Sequence, residues 1–194
     1  MAALSRGLEL LESAVGYLLG GTALVTPQLL SHPTPCRGWD LEMLLEHVSD
    51  SIGLLVEAMA SGRVSATAGH RGSRPDPVAR LRGQAARLLA TSVAAAPAAR
   101  PVVIGDRELT ANMIAVTGAI EITVHGWDIS EAVGARRPVP PLLATVLLPI
   151  AQLLVTPRAR PGLFADPVLL PGPAGPGDQL VAFLGRRPRP RLAA

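Results

Sequence analysis

Apolar residues recur at three- and four-residue spacing along most of the chain, the pattern of helices that bury one face. In the stretch 3–30, Leu8, Leu11, Ala14, Val15 and Leu18 share such a face. Gly20-Gly21 weakens its middle and Pro27 ends or bends it. Ser31 to Gly38 reads as a loop from Pro33, Pro35 and Gly38. A second helix follows to about Gly62, with Asp40 as N-cap and Trp39 placed to pack on Leu44. Its polar face carries Glu42, Glu46, Asp50 and Glu57; its apolar face carries Leu41, Leu44, Val48, Ile52, Leu55 and Met59. After a Gly/Ser/Arg loop over 61–76, a third helix is predicted at about 76–96. Val102-Val103-Ile104 reads equally as a short strand or an extended link. A fourth helix is expected from Thr110 to Val133, stopping at Gly134, and a fifth over about 141–155. The segment 157–178 reads as an irregular wrap anchored by Phe164, Val168, Leu169 and Leu170, before a last short helix at 177–184. No long alternating pattern is present, so the expected class is all-α. The expected organisation is a helical body over 1–156, with a Pro/Arg-rich wrap and tail over 157–194 in the same domain.

Composition narrows the function classes. With 194 residues, 48% of them apolar and 17% charged, the chain has material for one domain with a sizeable core. Twelve of the 19 prolines lie from residue 138 onward, which is why the C-terminal part is read as irregular. A single cysteine, Cys36, excludes an internal disulfide framework and a Cys-rich zinc site. No apolar run reaches membrane-spanning length and no basic, then apolar, leader opens the chain, so a cytoplasmic protein without a membrane partner is expected. The formal charge of +3 and the pI of about 10.3 suggest nucleic acid at first sight. However, four of the 18 arginines sit in the last nine residues, and the remaining 14 face 15 acids. The body is near neutral and poor in aromatic residues, so no nucleic-acid partner is expected, and the tail reads as a solvated end.

The fourth helix carries the most informative chemistry. Between Glu108 and Asp128 the one charged residue is Glu121, set among Met113, Ile114, Val116, Ile120, Ile122 and Val124. A carboxylate in so apolar a helix is costly without a partner. His125 follows four residues later, on the same face. His47, at the border of the acidic and apolar faces of the second helix, is the candidate third ligand. Two imidazoles and one carboxylate, with a position open to water, form a catalytic zinc arrangement; the same set suits Fe(II), Ni or Mn. The blander alternatives are that Glu121 and His125 only hydrogen-bond each other and that His47 is a core histidine. Asp128 reads either as a residue that orients a ligand histidine or as a helix-surface group. Cys36, ahead of the second helix, reads as a packing group rather than a nucleophile or extra ligand. Trp39 and Trp127 read as core or pocket wall, and His32 and His70 as solvated loop residues. Ser49 and Ser51 have no adjacent acid–base pattern.

Three blocks carry a family resemblance: Pro33-Thr-Pro-Cys-Arg-Gly-Trp-Asp40, Leu44-Leu-Glu-His47-Val48 and Glu121-Ile-Thr-Val-His125-Gly-Trp-Asp128. Together they resemble the DinB-like metal-binding superfamily, and within it the actinobacterial branch named for mycothiol-dependent maleylpyruvate isomerase. The end, Leu180-Val-Ala-Phe-Leu-Gly-Arg186, resembles the close of its short, single-domain members. The resemblance implies an up-down-down-up four-helix bundle with an extra C-terminal helix. It also implies a divalent metal, usually zinc, on His47, Glu121 and His125. Characterised relatives use the metal to bind or activate a low-molecular-weight thiol such as mycothiol, which implies a small-molecule substrate and mycothiol as co-substrate. Homodimerisation is a habit of the family. The isomerase itself has a second domain that contributes to its active site, whereas the tail here is short and Pro-rich, which points away from maleylpyruvate as substrate. Three readings stay open: a thiol-transferring metalloenzyme, a thiol-independent metal-dependent lyase, cyclase or hydrolase, and a non-catalytic metal-stabilised interaction protein.

Overall fold

The structure, a computed structural model, describes residues 2–64, 76–95, 101–104 and 107–189. It is all-α apart from one small hairpin, and it divides into two compact units, Met1–Arg136 and Arg137–Ala194.

The first unit holds α1 (Ala2–Thr22), α2 (Leu41–Ser61), α3 (Pro77–Ala95), β1 (Val102–Ile104), β2 (Arg107–Leu109) and α4 (Ala111–Ala132). The helix α1 is shorter than the 3–30 stretch suggests. It stops at Thr22, directly after the glycine pair, and Pro27–Leu29 forms a separate 3-10 turn. Glycine's high backbone entropy and the missing N–H of Pro27 together explain the early stop. The Asp40 side chain caps α2 by accepting from the Met43 amide at 2.9 Å, and Gly62 closes it in the left-handed conformation at φ 70°. For α4, the Thr110 hydroxyl accepts from Met113, and Gly134 ends the helix with paired bonds from Gly134 to Glu131 and from Ala135 to Ser130. The Val102–Ile104 run, ambiguous in the sequence, is a strand: it pairs antiparallel with β2, Val103 opposite Glu108.

Contacts fix the helix directions. Gly7 lies beside Asn112 of α4, Leu11 beside Gly118, and Leu18 beside Gly126, so α1 and α4 run parallel. Leu55 meets Gly118 whereas His47 meets Glu121, so α2 runs against α4. Arg80 reaches Asp50, Gln84 lies beside Gly53 and Ser92 bonds Met59, so α3 runs with α2. The result is a closed four-helix bundle of up-down-down-up direction, with neighbours in the order α1, α4, α2, α3 and back to α1. Its core includes Leu11, Leu18, Leu41, Leu44, Leu45, Ile52, Leu81, Leu88, Ile122 and Ile129, all fully enclosed. The hairpin sits where α2 ends and α4 begins, with Val102 packed on Ala58 and Ile114.

The second unit holds α5 (Pro141–Leu154) and α6 (Pro176–Phe183), which pack together. Between them, residues 157–175 carry no regular element. Val168 donates to the Ala182 carbonyl, and the guanidinium of Arg160 donates to Ala165 and stacks over Phe183. Phe164, Val168 and Leu170 are half-buried, but Leu169 is 96% exposed and is not the anchor that its apolar character suggests. In an irregular segment no periodicity says which neighbour turns inward. No helix among the described residues is long and apolar enough to cross a membrane.

Candidate metal centre

Fifteen of the 22 residues of α4 are buried, because α1 and α2 both pack against it. Glu121 and His125 lie on the stripe that faces α2. From that side, His47 in the first half of α2 points at the same place. The Nε2 atoms of His47 and His125 each stand 3.1 Å from one oxygen, Oε1 of Glu121. The two imidazole rings are 5.1 Å apart and nearly perpendicular. The three side chains named from the sequence therefore meet, and their donor atoms all lie within 4.8 Å of one another.

The electrostatics follow from this crowding. Burial by itself raises the Glu121 carboxyl, but hydrogen bonds from His125 and His47, and their charge, outweigh it and hold the group well below the usual carboxylate range. Burial by itself lowers the His125 imidazole. Its bonds to Asp128, Cys36 and Glu121 outweigh that and raise it well above its ordinary value. His125 thus lies between two carboxylates, Glu121 at Nε2 and Asp128 Oδ2 at Nδ1, the latter 3.0 Å away. Asp128 is fully buried, so it is no helix-surface group.

The donor set suits a divalent cation. Two ligands about 2.0–2.1 Å from a tetrahedral ion stand roughly 3.3–3.4 Å apart, close to the 3.1 Å separations found here. Two neutral imidazoles and one carboxylate also offset part of a dipositive charge. His47 and Glu121 keep about a third of their side-chain surface exposed, so solvent reaches the cluster.

Two further residues reach this place from the loop before α2. The Cys36 thiol donates to Asp128 Oδ2 at 3.2 Å and stands 3.8 Å from His125 Nδ1. Trp39 packs edge-on against His47, ring centres 4.7 Å apart. The sequence reads Cys36 as a packing group and Trp39 as core or pocket wall; the distance of Cys36 from Asp128 along the chain hides its contact, and that of Trp39 depends on the fold of the loop. The one legible hint was the repeated Gly-Trp-Asp at 38–40 and 126–128. His32 is exposed, near the Ala132 carbonyl, and takes no part; His70 lies outside the described residues. Ser49 is buried and donates to the Leu45 carbonyl.

Residues 11–130 match the family described as the mycothiol maleylpyruvate isomerase N-terminal domain. The chain belongs to that family. All three clustered residues, with Cys36, Trp39 and Asp128, fall inside the span that matches the isomerase N-terminal domain, while the whole second unit falls outside it. Two uncharacterized proteins of Mycobacterium tuberculosis, from strains CDC 1551 / Oshkosh and ATCC 25618 / H37Rv, are each 34% identical over 171 residues. The alignment covers 86% of this chain and 90% of theirs. No solved structure matches significantly. The family assignment agrees with the branch that the motif blocks resemble, and with the all-α bundle found here.

Proposed function

We propose that this isomerase-family chain is a divalent-metal-dependent enzyme that takes up a low-molecular-weight thiol of the mycothiol kind and adds it to a small electrophile. The observation that carries the reading is the convergence of two imidazole nitrogens from α2 and α4 on one carboxylate oxygen of Glu121. His47, Glu121 and His125 would hold the ion; zinc is the ion we propose for this two-nitrogen, one-oxygen set, which also suits Fe(II), Ni or Mn. A bound divalent cation would supply the charge that favours thiolate, the nucleophilic form, at neutral pH.

The chain's own residues set the conditions for that chemistry. Glu121 stays ionised, because both imidazoles hold its proton affinity down. Asp128 accepts the Nδ1–H of His125 as a hydrogen bond, which leaves Nε2 to face the cluster. Trp39 packs edge-on against one side of the His47 ring. The exposed side at His47 and Glu121 is where a thiol and its acceptor would enter. An activated alkene, epoxide or quinone is the acceptor class such a nucleophile attacks.

The test is metal analysis of protein purified without a histidine tag, followed by turnover with a panel of electrophiles, with and without mycothiol. The expected result is near-stoichiometric metal, lost in both His47→Ala and His125→Ala, and turnover that requires the thiol. Full metal occupancy in both variants would refute the site. Turnover without thiol would replace the transfer reaction with a thiol-independent one.

A further inference from the structure

The segment between Pro33 and Asp40 is more tightly built than its prolines and glycine require. Thr34 ties it shut: its amide and its hydroxyl both donate to the Trp39 carbonyl, at 3.1 and 2.9 Å. The Cys36 amide donates to the Thr34 hydroxyl, and the Trp39 amide to the Cys36 carbonyl. Pro33 and Asp40 bridge its two ends, and Gly38 supplies the left-handed turn at φ 82°. Two side chains of this closed loop reach the cluster, and each serves a different imidazole. Cys36 bonds the same Asp128 oxygen that holds His125, and Trp39 sets its edge against the ring of His47.

We propose that the loop Pro33–Asp40 is the positioning element of the centre, Cys36 acting on His125 through Asp128 and Trp39 acting directly on His47. The proposal rests on the metal reading above. Its physical basis is the two-sided nature of imidazole. A ring presents its Nε2 lone pair to a cation only while Nδ1 keeps the proton and the ring keeps its angle. An ionised carboxylate only accepts, so Asp128 Oδ2 takes the Nδ1–H of His125 and the S–H of Cys36 together. The thiol thereby fixes which oxygen faces His125, and at which angle. His47 has the more exposed ring of the two, and Trp39 restricts its rotation. In this proposal both loop residues act on the ligands and Cys36, although it also groups with His125 and Asp128, is not one of them.

The experiment adds Co2+ alone to the metal-free full chain and reads affinity together with the visible and near-ultraviolet cobalt spectrum. Cys36→Ala and Trp39→Leu are each expected to bind on the order of tenfold more weakly, the lower end of the range for partners behind a metal ligand. The circular dichroism of the metal-free variants should stay as in the wild type. Cys36→Ser keeps an O–H donor and should recover most of the loss, which a purely packing role would not predict. Unchanged affinity in both Cys36→Ala and Trp39→Leu overturns the proposal while leaving the metal site standing, provided that His47→Ala and His125→Ala abolish binding. If those two histidine variants bind cobalt like the wild type, the site reading fails and takes the proposal with it. A thiolate-to-cobalt charge-transfer band that vanishes in Cys36→Ala also overturns it, because Cys36 would then be a ligand.

Discussion

A single methyl group added at Gly126 measures how closely the two central helices approach. Gly126 follows His125 on α4, and a Cβ there would stand 3.2 Å from the Cα of Leu18 and 3.1 Å from Cδ1 of Tyr17. Carbon atoms settle at about 3.5–4.0 Å, so the methyl arrives several tenths of an ångström too close. Leu18 Cα is backbone inside the enclosed part of α1, and Tyr17 is 5% exposed, so neither yields without moving the helix. Overpacking of this kind costs about 1–3 kcal/mol, while replacing a mid-helix glycine by alanine returns about 0.8–1.0 kcal/mol. Gly126→Ala is therefore expected to be net destabilising by up to about 2 kcal/mol. Gly83 on α3 is the control, since it is exposed and a Cβ there meets nothing within 4 Å. Gly83→Ala should stabilise by the propensity gain alone, about 0.8–1.0 kcal/mol. The difference between the two variants isolates the packing cost, because the propensity gain is common to both. Urea unfolding of the metal-free chain gives that difference from the midpoints at constant slope. On heating, each kcal/mol should move the midpoint by roughly 2–4 °C at this chain length. If both variants stabilise equally, α1 and α4 are not in backbone contact and the account of the bundle's centre is wrong.

Two other predictions address the ends of the site. Asp40→Ala removes the cap on the Met43 amide and should cost about 1 kcal/mol, with Asp40→Asn near wild type; equal midpoints for Ala and wild type in urea would show that the cap contributes nothing. In the metal-free chain Glu121 is depressed below its ordinary 4.5, so the unfolded state binds the proton more readily. The stability it contributes is present above that ordinary value and is lost as pH falls toward the lower folded value. His125 is raised, so its contribution is complete below its ordinary 6.5 and is lost as pH rises through the higher folded value. Melting temperature against pH should fall on both sides, and Glu121→Gln should flatten the acid side; an unchanged acid slope in that variant would refute the assignment.

The helices were legible because their signals are local. Asp40 and Thr110 open helices, Gly62 and Gly134 close them, and spaced leucines mark the buried faces; each depends on residues within a few positions. The Glu121/His125 pair was legible for the same reason, since one helical turn places both on one stripe. His47 was named from its face and from the family motif, but its meeting with Glu121 depends on α2 running against α4. Where local signals are weak, the sequence misleads: apolar spacing carries α1 past Gly20-Gly21, although it ends at Thr22, and marks Leu169 as an anchor, although it is exposed. The contact of Cys36 with Asp128 joins residues 92 positions apart, and that of Trp39 with His47 depends on how the loop folds back onto α2; no helical spacing rule reaches either. By itself, then, the sequence determined which segments become helices and which side chains share a helical face, because those depend on backbone hydrogen bonds a turn away. The directions of the four helices, the shared oxygen between two imidazoles and the loop clasped over them were decided by tertiary packing, because only the burial of several apolar faces against one another brings distant segments within bonding distance.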